Sequence, residues 1–152
     1  MNLDLAKRLI DAAVKSARER DLLCSVAIVD ENGWLVALHR MHGAVIPTVD
    51  IARDKAWTAA AFKLPSSEIS KFGDPLQPEC GLNKQNWNDR LTTIAGGLPI
   101  KEGDEVIGGI GASGGTPEQD TAVCQAAIAE ILSQAANHSD ADTNFPTRAH
   151  KS

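Results

Sequence analysis

The fold turns on Cys24-Ser25-Val26-Ala27-Ile28-Val29-Asp30-Glu31-Asn32-Gly33-Trp34-Leu35-Val36-Ala37-Leu38-His39-Arg40. Its first half is a β-branched run, Glu31-Asn32-Gly33 is turn chemistry, and Trp34 to Arg40 restores an apolar pattern. The segment therefore predicts a β-hairpin. Upstream, Leu5, Leu9, Ala12, Ala13 and Ala17 recur with the 3.6-residue period of an amphipathic helix from Leu3 to about Arg20. Downstream, Pro47-Thr48 opens a second helix to about Phe62, whose Val49, Ala52, Ala56, Ala59 and Ala60 give it a narrow face for close packing. Pro65-Ser66-Ser67-Glu68 starts a short helix to about Phe72.

Residues 73–90 hold prolines, glycines and amides without a period, which predicts a long loop with a functional role. Leu91–Ile94, Leu98–Lys101 and Glu105–Ala112 then predict three short strands, separated by Gly96-Gly97 and by Glu102-Gly103-Asp104. Thr116-Pro117-Glu118-Gln119 unites an N-cap Thr, a first-turn Pro and a Gln three residues after the cap, so a last helix begins there. Beyond Ala136 the chain is polar and aperiodic. We expect one domain over residues 1–136 and a mobile tail over 137–152. Strands joined by short turns are antiparallel, and the helices must bury their faces on the sheet, which gives an α+β class.

The whole chain of 152 residues, 43% hydrophobic and with a formal charge of −5, suits one core rather than two. Fifteen basic residues against 20 acidic ones, without a basic block, exclude nucleic acid or an anionic membrane as the main partner. No apolar run resembles a leader or a membrane span, so a cytoplasmic address is expected. The three cysteines lack CxxC spacing. Cys24 and Cys124 lie in apolar runs and read as small buried hydrophobes, whereas Cys80 reads as accessible. With six aromatic residues and no Tyr, a flat ligand would be held mainly by aliphatic walls, backbone and a few polar groups.

Several groups could carry chemistry. Gly109-Ile110-Gly111-Ala112-Ser113-Gly114 matches a dinucleotide fingerprint locally, but no later parallel strand follows with an acid for the ribose, and that reading is set aside. What remains is a helix N-terminus at Gly114, Gly115 and Thr116 whose N–H groups could meet a carboxylate or phosphate. Read as structure alone, these glycines simply turn the strand into the helix. His39 and His42 are three residues apart and would face one site only if the chain turns at Met41. With no third ligand at a recognisable spacing, no metal site is assigned. An imidazole here could ligate axially or move a proton, and Arg40 could clamp a carboxylate. Lys55 reads first as a surface lysine and second as a donor to a ligand acid. Asn83, Trp87 and Arg90 make the long loop a donor-rich lid or an oligomer contact.

The chain resembles the GlcG/HbpS/PduO C-terminal family, the haem-degrading HbpS-like domains. The likeness runs through Val26-Ala27-Ile28-Val29-Asp30, Arg40-Met41, Gly43-Ala44, Lys55-Ala56, Gly96-Gly97-Leu98-Pro99-Ile100, Val106-Ile107-Gly108, Ser113-Gly114-Gly115 and Gln119-Asp120. It implies a profilin-like five-stranded antiparallel sheet flanked by helices, and assembly into homo-oligomers. It also implies a small-molecule ligand, with haem or a related tetrapyrrole as the possible cofactor. The sequence departs from the family's pattern at His42, where an Asp is usual, and in its polar, Trp-bearing loop. On this basis the pocket is expected between His39–Gly43, Lys55, the long loop and Gly96-Gly97. Gly114 and Gly115 stand by as further ligand contacts. An alternative is a cofactor-independent lyase or isomerase acting on a small aromatic acid, for example a hydroxylaminobenzoate lyase releasing ammonia. There His42 would shuttle the proton, Arg40 or Lys55 would bind the carboxylate, and Trp87 would close over the ring.

Overall fold

The structure is a computed structural model and describes residues 1–81 and 88–142. The hairpin forms as its sequence requires: β1 (Ser25–Asp30) and β2 (Leu35–Arg40) pair antiparallel, Val26 opposite His39 and Ala27 opposite Leu38. Asp30 ties the turn, its Oδ1 accepting the Asn32 and Trp34 N–H groups at 2.9 and 3.0 Å. Helix α1 (Leu3–Glu19) precedes the hairpin, capped by the Asn2 side chain on Leu5 N–H. Helix α2 (Thr48–Phe62) and a 3-10 helix (Ser66–Gly73) follow it. Strands β3 (Gly97–Glu102) and β4 (Glu105–Ser113) come next, and α3 (Pro117–Asp142) closes the described chain. The Thr116–Gln119 capping box is made in both directions, at 2.9 and 3.2 Å. Helix α3 runs on to Asp142, past the expected boundary at residue 136.

Among the described residues the antiparallel sheet has four strands, in the order β2-β1-β4-β3, rather than the five expected. The strand that does not form is Leu91–Ile94. Side chains hold its backbone in place of a ladder: Thr58 Oγ1 accepts from Thr92 N–H at 3.0 Å and donates to the Arg90 carbonyl at 3.3 Å, and Ser66 Oγ donates to the Ile94 carbonyl at 2.8 Å. Hydroxyls from α2 and the 3-10 helix thus satisfy groups that a strand partner would have satisfied.

The strands alternate their burden between two faces. Val26, Ile28, Ile110 and Ala112 point to a large core with α1 and α3. Ala27 and Val29 point to a smaller one with Ala52, Ala56 and Ala60 of α2. Helix α2 comes so close that a Cβ at Gly109 or Gly111 would collide with the carbonyl oxygens of Ala56 or Ala52. The glycines of the false dinucleotide fingerprint are the seat of a helix, not a phosphate cradle.

Candidate functional site

Helix α1 stops where Asp21 adopts a left-handed conformation, φ +56°. The chain then re-enters the sheet through Leu22 and Leu23, beside the end of β2. There β2 turns: the Ala44 N–H donates to the Met41 carbonyl at 3.0 Å, and Gly43 takes φ +88°, which a side chain would resist. This turn at Met41 was the condition for His39 and His42 to meet, and it is fulfilled. Both imidazoles, with Arg18, Asp21, Leu22, Leu23 and Met41, line one cavity of about 510 Å3. That volume is within the range of small-molecule pockets. Both histidines are exposed while Met41 beneath them is buried, so the cavity has an apolar floor and a polar, nitrogen-bearing wall. Arg18, in the last turn of α1, adds a cation at its edge.

Arg40 neighbours His39 but lies on the other face of the sheet, opposite Ser25, and its Nη1 donates to the Ala44 carbonyl at 3.4 Å. It braces the turn that presents His42 and does not line the cavity.

Lys55 overturns its sequence reading most fully. It is 1% exposed, and its ammonium donates to Asp120 Oδ2 and to the Ala112 carbonyl, each at 3.0 Å. Asp120 is equally buried and accepts the Gly115 N–H on Oδ1 at 2.8 Å. The amides expected to greet an external anion are therefore taken: Gly115 by Asp120, Thr116 by Gln119. The anion at the start of α3 is the protein's own. Gly114 lies against the Leu23 carbonyl, Gly97 against the Lys55 backbone, and a Cβ on Gly96 would come within 2.7 Å of Lys55 Nζ. None of these glycines lines the histidine cavity; each makes room for packing.

Asn83 and Trp87 lie outside the described residues. Arg90 lies by α2, where its charge acts on Asp54. Asp54 is raised to about 6, from an ordinary 3.8, by burial first and then by Asp50, against Arg53 and Arg90. Cys24 and Cys124 are fully buried, as expected, while Cys80 is half-buried. Burial, reinforced by Asp120, pushes the Cys24 thiol up to about 11, and burial drives Cys124 higher still. Among the described residues no three His, Cys, Asp or Glu side chains gather as a metal cage. Nor is any helix among them long and apolar enough to cross a membrane.

Of the residues lining this cavity, the sequence named the two histidines but not Arg18, Asp21, Leu22 or Leu23. Their signal was the short link between the end of the first helix and the first strand, which must pass over the hairpin's far end.

The chain is thus a layered α+β domain with a four-stranded antiparallel sheet and a histidine-walled pocket. The chain belongs to the family described as haem degrading protein HbpS-like, whose model matches residues 1–129. It is 36% identical over 124 residues to the corrinoid adenosyltransferase PduO of Salmonella typhimurium, covering 82% of this chain and 37% of that protein. It thus spans little more than a third of the length of that relative. Among solved structures it is similar to protein ORFY of Klebsiella pneumoniae, at TM-score 0.82 and 33% identity over 87% of this chain and 90% of that one. It is similar also to the PduOC haem complex, at TM-score 0.79 and 33% identity over 85% and 93% of the two chains.

Proposed function

We propose that this protein binds a tetrapyrrole, with haem as the leading ligand, in the cavity walled by His39 and His42. The observation that carries the reading is the placing of two accessible imidazoles on one cavity of about 510 Å3 over a buried methionine. Imidazole is a common axial ligand of haem iron, and an apolar floor suits a macrocycle's face. Arg18 supplies the charge that a propionate seeks. The haem complex of a relative at 33% identity supports the same ligand class. When bound, haem would supply redox and gas-binding chemistry; His39 or His42 would hold the iron, and Arg18 would meet the carboxylates. The three free thiols suit a reducing, cytoplasmic setting.

The lyase alternative loses support at a specific atom. Lys55 Nζ, which would have gripped a substrate carboxylate, is spent on Asp120 and Ala112, and Arg40 faces away from the histidine cavity.

Titration of the purified chain with haemin tests the proposal. A saturable Soret shift is expected, weakened at least about tenfold in His39→Ala/His42→Ala, a difference of about 1.4 kcal/mol. No saturable shift, or the same shift and affinity in the double variant, would overturn it.

A further inference from the structure

Each segment that builds the histidine cavity brings to it a side chain that is charged or can become so. Arg18 comes from the last turn of α1, Asp21 from the link, His39 from β2 and His42 from the turn after it. Among the described residues none of these four side chains makes a hydrogen bond or an ion pair. Charged neighbours on the same segments are engaged elsewhere. Arg20 Nε donates to Ser16 Oγ at 3.2 Å, Arg40 Nη1 donates to the Ala44 carbonyl at 3.4 Å, and Lys15 pairs with Glu130 at 3.5 Å. Glu19 is exposed at the end of α1 and does not line the cavity. The Cys24 thiol, behind Met41, is pushed up to about 11 and stays protonated. Helix α2, with Asp50, Arg53, Asp54 and Lys55, packs on the other side of the sheet.

An imidazole changes its charge between pH 5 and 8. Protonation of both rings would set three cations, Arg18, His39 and His42, around Asp21 alone, with no carboxylate bonded to either ring.

We infer that the cavity is a proton-operated release site, which holds an iron tetrapyrrole at pH 7 to 8 and lets it go as its imidazoles take up protons toward pH 5.5. The inference rests on the ligand reading above and adds its regulation. In the releasing step the imidazole keeps the electron pair of its bond to iron and takes up one proton from solvent. The charged rings would at the same time attract the ligand's carboxylates. Both histidines are exposed, however, and exposed ion pairs gain little, whereas a protonated nitrogen has no electron pair left for iron. Loss of ligation therefore decides the direction. By linkage, affinity falls with one proton for each ring that ligates.

Titration of the full chain with haemin at pH 8, 7, 6 and 5.5 tests the inference. Affinity should fall at least about fivefold from pH 8 to 5.5 while far-UV circular dichroism stays constant. Asp54→Asn, which removes the raised carboxyl across the sheet, should keep the fall. Residual binding in His39→Ala/His42→Ala should lose it. Iron-free protoporphyrin asks no electron pair of a ring, so its affinity, read by fluorescence, should hold or rise over the same interval. Saturable haemin binding at pH 8 with the same affinity at pH 5.5 overturns the inference and leaves the ligand reading standing. No saturable binding at any pH overturns both. A fall that iron-free protoporphyrin shares, that Asp54→Asn abolishes or that the double variant retains also overturns the inference, because release would then not lie at the rings.

Discussion

At the residue scale the most consequential side chain is Lys55. Its ammonium has two acceptors, and its partner Asp120 also takes a backbone N–H from Gly115, so α2, the end of β4 and the start of α3 meet at one charge pair. Such a pair gains little net free energy when whole, because both ions were taken out of water, yet breaking it strands the remaining charge. Lys55→Met should therefore cost about 3–5 kcal/mol of unfolding free energy. Lys55→Met/Asp120→Asn, which keeps an acceptor for Gly115, should cost distinctly less, and chemical denaturation of the two variants compares them. Nothing in Arg53-Asp54-Lys55-Ala56 marks this lysine as buried, since its neighbours read as a solvated helix face and its partner lies 65 residues away. The buried cysteines were legible because apolar neighbours surround them in sequence as well as in space.

At the scale of elements, α2 governs the packing. Its alanines and the glycines of β4 bring the two backbones together, so a methyl group at Gly111 must drive the helix off the sheet. Gly111→Ala should destabilise by about 3 kcal/mol, the upper part of the overpacking range, measurable by thermal melting. A half-buried carboxyl on the same helix carries a pH dependence. Asp54, raised to about 6, favours the folded state fully below the unfolded value near 4, and that contribution is lost as pH rises through 6. Asp54→Asn should hence melt higher than the parent at pH 7, by about 2 °C after solvent screening, with the gap closing toward pH 4. The helices and the hairpin were legible because period and capping residues agree. Leu91–Ile94 misled because its apolar residues mimic a strand, while the hydroxyls that replace its ladder, Thr58 and Ser66, are remote in sequence.

For the whole molecule, the site arises where three chain segments end together: the last turn of α1, the link to β1, and the turn after β2. Only the last of these was legible, through the spacing of His39 and His42 and the possibility of a turn at Met41. Arg18 and Asp21 belong to a helix end whose position over the hairpin is set by the packing of α1 on β1 and β2. The candidates gathered around Gly96, Gly97, Gly114 and Gly115 proved to be the internal seat of Lys55 and Asp120. The proposal of haem in the histidine cavity joins this chain's two imidazoles to the haem complex of a relative. Crystals of the chain grown with haemin, measured at the iron absorption edge, test that proposal most directly. An anomalous peak is expected in the cavity within bonding distance of a His39 or His42 ring nitrogen; a peak elsewhere on the chain would contradict the proposed site.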